Sequence, residues 1–302
     1  MLFQIKYKNK MDEIFTFVLD KLGTKIKTEI LNYVDINRIK TVNEIRIKSN
    51  GFVCLLTNIQ NFRTDIFVSQ NEIPIIIKNL CDNSIYAHIN TIRLGYISIE
   101  KGVRAGICGR ATIENGEIEG VNDITSINIR IPHLIEGASK FLLNQVVSDG
   151  FSKSYIVFSK PGVGKTTILR DLIANFSQNF IDIRYAVIDS KCEITAAIPC
   201  NITGDVYLSY PKGLAIEMAT KGMTPHYIIC DEISSMNESL EILNSINSGV
   251  KLIATTHASN VDELLRKDIL KPLFSSCAFD KAIGVYRNDC QKRYSFSIHN
   301  LI

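Results

Sequence analysis

The stretch Ile156–Leu172, IVFSKPGVGKTTILRDL, constrains the fold of this chain more than any other. An apolar run typical of a buried strand is followed by a glycine-containing loop, a Gly-Lys-Thr triplet and an amphipathic helix. This order fits the P-loop pattern G-x-x-x-x-G-K-[ST], in which backbone N–H groups and a helix N-terminus surround phosphate oxygens. Ser159 stands where the pattern has its first glycine. The stretch therefore predicts a nucleotide-binding α/β domain with one altered loop position.

The residues of this loop have distinct expected tasks. Lys165 is expected to reach the β- and γ-phosphates of ATP, and the Thr166 hydroxyl to complete the shell of a bound Mg²⁺. Gly162 and Gly164 let the backbone turn toward phosphate without an obstructing Cβ. Without its flanking strand and helix, the same segment would be only a glycine-rich turn. The predicted nucleotide-binding residues are Ser159, Lys160, Pro161, Gly162, Val163, Gly164, Lys165, Thr166 and Thr167.

A second apolar run, in the segment HYIICDEIS, ends in Asp231 and Glu232. At the C-terminal tip of a parallel strand both carboxylates can reach the crevice where phosphates bind. Asp231 is therefore predicted to hold Mg²⁺ through water, and Glu232 to orient and deprotonate the attacking water. A further predicted strand, RYAVID, separates this motif from the P-loop along the chain. That extra strand favours the RecA-like branch of P-loop ATPases over small-molecule kinases.

The segment KLIATTHA predicts another buried strand, and it ends in Thr255, Thr256 and His257. If this strand lies beside the P-loop strand, its polar end can sense the γ-phosphate. A lone histidine is more often structural or exposed to solvent. Three consecutive polar residues at the end of an apolar strand favour a sensor role for His257.

The composition is that of an ordinary globular protein. The 302 residues are 46% hydrophobic and 22% charged, with a formal net charge of +3. The length favours two domains, and no dense Lys/Arg run supports a nucleic-acid or membrane surface. Eight cysteines without a C-x-x-C pair favour reduced thiols in a cytosolic protein over a zinc site or disulfide framework. The chain shows neither a signal peptide nor an apolar run of membrane-spanning length.

The first part of the chain, residues 1–135, is expected to form a compact α+β domain. Its predicted elements are one or two helices over 12–33, a strand pair turning at Asn50-Gly51, a helix over 69–90 capped by Ser69, and short glycine-punctuated strands with a hairpin at Asn115-Gly116.

The second part, residues 136–302, alternates apolar strands with amphipathic helices. This alternation predicts a RecA-like P-loop ATPase domain of the α/β class, with a mostly parallel sheet covered on both faces. A final hairpin over 281–298 is expected to extend the edge of that sheet.

Together these motifs resemble the stage III sporulation protein AA family of endospore-forming bacteria, which is related to type II and type IV secretion ATPases. The similar segments are NEIRIK, GYISIEKGVRAGICGRA and DITSINIRI in the first half, and PGVGKTTILRDL, VIDSKCEI, MTPHYIICDEI and SGVKLIATTHA in the second. The resemblance covers most of the chain. It implies a Mg²⁺-dependent hexameric ATPase in the cytoplasm of the mother cell. Docked on a membrane protein, it would energise a secretion-like channel complex toward the forespore.

The resemblance also adds expected site residues. Asp189 and Glu193 fall on the acidic box of secretion ATPases, Asp189 as a nucleotide-binding residue and Glu193 as a catalytic one. An arginine of the N-terminal domain is implied to reach the nucleotide of a neighbouring subunit. Arg130 is the first candidate, followed by Arg104 and Arg110. For these last two, pairing with acids of their own domain is an equally good interpretation.

Departures from the family pattern bear on the rate of hydrolysis, and two other functions stay open. Besides Ser159, the acidic box has Ser190 and Lys191 after Asp189, where a further acid is usual. A ring scaffold that binds ATP but hydrolyses it weakly would fit this altered box, although the intact Asp231-Glu232 pair argues against it. A nucleic-acid motor is disfavoured by the near-neutral charge and the lack of basic stretches interleaved with aromatics, so no nucleic-acid partner is expected.

Overall fold

The computed structural model describes residues 14–33, 42–57, 60–114, 116–198, 202–245, 249–288 and 293–302. Five predicted features lie outside these residues: Asp12, Asn115, Cys200, Cys290 and positions 246–248 near the end of a predicted helix. The chain divides into two compact units, Met1–His133 and Leu134–Ile302. Over the described ranges, no helix has the length and apolar character needed to span a bilayer. The cysteines in those ranges are free thiols.

The N-terminal unit is a six-stranded antiparallel sheet with helices packed on it. Residues 14–22 form helix α1, and Thr24–Tyr33 form α2; Gly23 between them has a φ of +91° and separates the two helices. The strands are β1 Val42–Lys48, β2 Gly51–Thr57, β3 Asn61–Val68, β4 Tyr96–Ser98, β5 Arg104–Glu114 and β6 Glu117–Arg130. Their order in the sheet is β3-β2-β1-β6-β5-β4.

The single helix predicted over 69–90 was wrong. Helix α3, Ile73–Leu80, ends where the sequence continues with Cys-Asp-Asn-Ser. Asp82 and Asn83 take φ values of 52° and 64°, a left-handed conformation that short polar side chains tolerate but a helix does not contain. A second short helix, α4 over Ile89–Arg93, follows this break.

β5 and β6 are longer than the short strands predicted for this part of the chain, whereas β4 is short. β5 and β6 pair along almost their whole length as one antiparallel hairpin. Gly109 lies at a register shift, where a Cβ would come 2.5 Å from the carbonyl oxygen of Asn122. The glycine therefore marks a bulge within one strand, not a break between two.

The C-terminal unit alternates strands and helices as predicted. Its strands are β7 Tyr155–Ser159, β8 Tyr185–Asp189, β9 Asp205–Leu208, β10 Tyr227–Glu232, β11 Lys251–His257, β12 Lys281–Asn288 and β13 Arg293–Asn300. Its helices are α5 Lys140–Ser148, α6 Lys165–Asn179, α7 Lys212–Gly222, α8 Met236–Ser245, α9 Val261–Arg266 and α10 Lys271–Ser275.

The sheet of this unit has the order β13-β12-β7-β11-β10-β8-β9, and all strands run parallel except β13. Successive residues of each central strand point to opposite faces. Ile156 and Phe158 belong to one buried core, whereas Tyr155 and Val157 belong to the other. This confirms the sheet covered on both faces, and the hairpin at its edge.

This strand order positions the predicted motifs. β11, which ends in His257, pairs with the P-loop strand β7 on one side and with β10 on the other. The carboxyl ends of β7, β11 and β10 therefore lie side by side at one edge of the sheet. The short strand β9, beyond β8, was not predicted.

Candidate nucleotide and magnesium site

The P-loop connects the end of β7 to the start of α6. Gly162 and Gly164 have φ values of +76° and +124°, in the region that favours glycine. A Cβ on Gly164 would also come 2.8 Å from the hydroxyl oxygen of Tyr294 on β13. Glycine is thus required at Gly164 both by backbone conformation and by the close approach of a side chain. Of the remaining predicted loop residues, Lys160 and Pro161 are exposed, and Val163, Thr166 and Thr167 are half-buried.

Ser159, the departure from the motif, sits in the loop without a special backbone conformation. It is the last residue of β7 and is 1% exposed. Its hydroxyl donates to the carbonyl oxygen of Lys160 at 2.9 Å and accepts from Lys165 Nζ at 3.4 Å. Because strand backbone suits any side chain, glycine is not needed here. Serine adds a hydroxyl contact to the loop lysine.

Lys165, His257 and Glu232 form a chain of contacts from the first residue of α6 across the ends of β11 and β10. Lys165 Nζ lies 2.6 Å from His257 Nδ1, and His257 Nε2 lies 3.1 Å from Glu232 Oε2. An ammonium group only donates, so Nδ1 accepts and Nε2 carries the proton that is donated to Glu232. Burial lowers the pKa of Lys165 to about 8, although the charge of Glu232 opposes this shift. The predicted phosphate lysine, sensor and general base are therefore in one hydrogen-bonded chain.

Asp231 is buried beside a lysine that sequence reasoning missed. The Lys212 side chain is 1% exposed, and its Nζ lies 2.9 Å from Asp231 Oδ1. This contact is an ion pair: both oxygens of Asp231 are buried, and neither accepts a hydrogen bond from a described residue. Burial raises the pKa of Asp231 above its usual value, against the opposing charge of Lys212. A buried carboxylate oxygen without a donor is suited to a water molecule on a bound cation.

The acidic segment after β8 is held in place by hydrogen bonds to the carboxylate of its first residue, Asp189. Asp189 is fully buried, and its oxygens accept hydrogen bonds from Glu193 N at 2.9 Å, Thr195 N at 2.8 Å and Thr195 Oγ1 at 2.7 Å. Arg170 of α6 donates to the carbonyl oxygens of Glu193 and Ile194. Asp189 thus orders the loop that carries Glu193. Its direct contact with nucleotide stays a prediction.

The three candidate arginines lie on the sheet of the N-terminal unit. Arg130, the last residue of β6, is 72% exposed at its side chain, with Nε 3.6 Å from Glu44 Oε1. Arg110 faces Asp123 at 3.4 Å. The Arg104 guanidinium lies 3.6 Å from the ring centroid of Tyr96. All of these contacts lie within the N-terminal unit. That Arg130 reaches the nucleotide of a neighbouring subunit therefore stays a prediction.

Comparison with known proteins identifies the family of this chain. Residues 8–293 match the family model described as "Sporulation stage III, protein AA". The chain is 30% identical to the stage III sporulation protein AA of Bacillus subtilis over 255 residues, which cover 82% of this chain and 83% of that protein. The chain belongs to the stage III sporulation protein AA family.

Solved structures show the fold of this family member. The ATPase DotB of Legionella pneumophila matches with a TM-score of 0.58 at 16% identity, over 86% of this chain and 77% of DotB. The pilus retraction motor PilT, solved with bound ADP, matches with a TM-score of 0.58 at 13% identity, over 90% of this chain and 82% of PilT. The fold is thus the RecA-like α/β fold predicted from the sequence.

Proposed function

We propose that this family member is a Mg²⁺-dependent ATPase of the secretion type. One observation carries the proposal: Glu232, at the end of β10, is joined through His257 to the P-loop lysine Lys165. A carboxylate at this place, reachable by water because its side chain is 27% exposed, is positioned for a general base. The fold shared with the ATPase DotB and with PilT, which binds ADP, supports the same conclusion.

The chemical roles follow from the contacts. The polyphosphate of ATP would lie against the loop amides and the N-terminus of α6, and its charge would draw Lys165 away from His257. A γ-phosphate oxygen only accepts hydrogen bonds, so His257 would contact it as a donor with a proton on Nδ1 once Lys165 has moved away. Glu232 would accept a proton from the water whose oxygen attacks the γ-phosphorus, while the bond to the β,γ-bridging oxygen breaks and ADP leaves.

Thr166 and Asp231 fit the magnesium site that this chemistry requires. Within the described ranges, no cluster of three or more His, Cys, Asp or Glu side chains could hold a metal by itself. Mg²⁺ in nucleotide sites takes most of its ligands from phosphate and water, with few from protein. The Thr166 hydroxyl would complete that set, and the buried carboxylate of Asp231 would hold one of the waters on the metal. Bound Mg²⁺ would neutralise charge developing on the phosphates.

The biological setting is part of the same proposal. The family and the fold support a homo-oligomeric ring, a hexamer, in the cytoplasm of the mother cell. A membrane protein of the sporulation channel complex would recruit it, and the ring would energise that complex between mother cell and forespore. Arg130 of one subunit would act on the nucleotide of the next.

A second candidate function is an ATP-binding ring scaffold with weak hydrolysis. The observation that favours it is the acidic loop, in which Ser190 and Lys191 follow Asp189 and the carboxylate of Asp189 is already engaged within the loop. The scaffold would bind nucleotide through the same P-loop but would turn it over slowly.

The first test is ATP turnover by purified protein with and without single-stranded DNA, beside Lys165→Ala. We expect Mg²⁺-dependent release of phosphate from wild type, unaffected by DNA. Lys165→Ala should abolish both turnover and the thermal stabilisation by Mg-ATP, because Lys165 is the loop lysine that lies beside His257, whereas Lys160 is exposed. Stabilisation without turnover would favour the scaffold, and strong stimulation by DNA would favour a nucleic-acid motor.

A further inference from the structure

Lys212 is buried and is surrounded by acidic side chains and a backbone carbonyl oxygen. It is the first residue of α7, and its side chain is 1% exposed. Its Nζ lies 2.5 Å from the carbonyl oxygen of Glu232, 2.6 Å from Glu238 Oε1 and 2.9 Å from Asp231 Oδ1. Two of these contacts are hydrogen bonds, and the contact with Asp231 is an ion pair. Burying a lysine is costly, and pairing with acids and a carbonyl oxygen offsets this cost.

The three acceptors belong to the parts of the chain that form the reaction site. Asp231 supplies the proposed magnesium-holding carboxylate, and Glu232 supplies both the general base and the backbone carbonyl that Lys212 contacts. Glu238 lies in the first turn of α8. One cation therefore joins the start of α7, the end of β10 and the start of α8.

Glu238 extends this contact to the loop that follows β10. Its Oε2 accepts from Ser234 N at 2.7 Å, Ser234 Oγ at 3.0 Å and Ser235 N at 3.2 Å, while its Oε1 faces Lys212. The carbonyl of Glu232 and the backbone N–H groups of Ser234 and Ser235 are thus held by one partly exposed network. Lys212 contacts Asp231 at Oδ1 as an ion pair, and neither buried oxygen of Asp231 accepts a hydrogen bond from the described residues.

We propose that Lys212 is a positioning residue for the proposed ATPase site: its ion pair holds the Asp231 carboxylate in place for Mg²⁺ binding, and its contact with the Glu232 carbonyl fixes the backbone that aims Glu232. This inference rests on the proposed function, since it assigns Lys212 a role in the proposed ATPase site. Lys212 itself touches neither phosphate nor metal. Partners of this outer kind typically change metal affinity by about ten- to a hundredfold when they are removed.

The test is a Mg²⁺ titration of nucleotide binding, which does not depend on turnover. A fluorescent ATP analogue is held at fixed concentration, and its binding is followed as Mg²⁺ is added after EDTA. For Lys212→Met we expect the half-saturating Mg²⁺ concentration to rise by about tenfold or more. Binding of the analogue in EDTA should stay within about twofold of wild type. Lys212→Arg, which keeps a cation at this place, should recover part of the Mg²⁺ response.

Two further variants keep the result interpretable. Lys212→Met combined with Glu238→Gln removes the acid that would otherwise be left unpaired, and should show the same loss if the single variant folds poorly. Lys281→Met is the matched control, because Lys281 forms an ion pair with Asp149 at 2.7 Å elsewhere in the unit. It should leave the half-saturating Mg²⁺ concentration unchanged.

The outcomes separate the two proposals. If wild type binds the analogue with Mg²⁺ and the folded Lys212 variants need no more Mg²⁺ than wild type, the positioning role is refuted while the proposed function stands. An equal rise in Lys281→Met would also refute it, as a general stability effect. If wild type shows no Mg²⁺-dependent binding at all, the proposed function fails and the role of Lys212 with it.

Discussion

At the scale of single residues, Ser159 and Lys165 define how the P-loop is built in this protein. Ser159 lies in strand backbone and bonds to the loop, so the missing glycine of the motif does not distort it. Lys165 is 7% exposed, and its Nζ contacts His257, which in turn contacts Glu232. Serine at position 159 therefore leaves the loop backbone undistorted. Burial of the Lys165 charge lowers the free energy of unfolding of the protein.

Replacing Lys165 by Met should stabilise the nucleotide-free protein. Its pKa of about 8 lies below the ordinary 10.5 because burial disfavours the charge. The unfolded chain then binds the proton more tightly than the folded one, so this group makes wild type more stable as pH rises from about 8 to about 10.5. Lys165→Met should be more stable at pH 7 by about 1–3 kcal/mol.

The measurement is urea unfolding of both proteins without nucleotide between pH 7 and 10.5. The difference in free energy of unfolding should be largest at pH 7 and should shrink across the upper part of this range. A Lys165→Met protein that is less stable than wild type at pH 7 would contradict the assigned burial of the charge.

At the scale of elements, the acidic loop after β8 depends on Asp189. Asp189→Asn replaces an acceptor-only group by one that presents an NH₂ to some of the same donors. We expect the free energy of unfolding to fall by about 1–3 kcal/mol, since buried N–H groups lose their partner. Amide hydrogen exchange at Glu193 and Thr195 should become faster.

Glu193→Gln is the control for that experiment, because the Glu193 backbone N–H, not its carboxylate, is the group that Asp189 holds. It removes a carboxylate whose charge acts on the buried guanidinium of Arg170, so we expect a smaller loss of stability than in Asp189→Asn, with exchange at Thr195 near wild type. An Asp189→Asn protein with unchanged exchange but lost nucleotide binding would mean that Asp189 contacts nucleotide directly and does not act through the loop.

The elements also show how far sequence could go. Long apolar strands and the P-loop helix were predictable because their periodicity is strong, and their order fixed the sheet with β11 beside β7. β9 was not predicted because Asp205–Leu208 is only four residues long, and its three apolar residues are too few to show a period. The break after Leu80 depended on left-handed backbone at Asp82 and Asn83, which their letters permit but do not require.

The site was predictable only where motif and strand end coincide. The P-loop lysine, Asp231, Glu232 and His257 each follow an apolar run, and the structure places Lys165, Glu232 and His257 in contact. Lys212 follows no apolar run and belongs to no motif, and a lysine at the start of a helix is normally expected to be exposed to solvent. Its role appears only when α7, β10 and α8 are packed together.

At the scale of the whole molecule, the question is whether subunits complete one another's sites. Arg130→Ala should reduce ATP turnover more than nucleotide affinity. Its own stability should change by only about 0–1 kcal/mol, because its pair with Glu44 is largely exposed. Mixed with Glu232→Gln, it should recover turnover, since an intact Glu232 in one subunit can then meet an intact Arg130 from the next.

The measurement is turnover across mixing ratios, with assembly followed in parallel. Arg46→Ala, which removes another largely exposed arginine that pairs with Glu44, should keep wild-type activity. Absence of recovery in mixtures that still assemble would show that Arg130 does not act between subunits.

The central claim, that Glu232 makes this P-loop protein hydrolyse ATP, has one direct test. Wild type, Glu232→Gln and the surface control Glu217→Gln are incubated with Mg-ATP, freed of unbound nucleotide, and the retained nucleotide is identified by chromatography. Wild type and Glu217→Gln should retain mainly ADP, and Glu232→Gln mainly ATP, because only this last variant lacks the base that activates water. Wild type that retains unhydrolysed ATP to the same extent as Glu232→Gln would contradict the account.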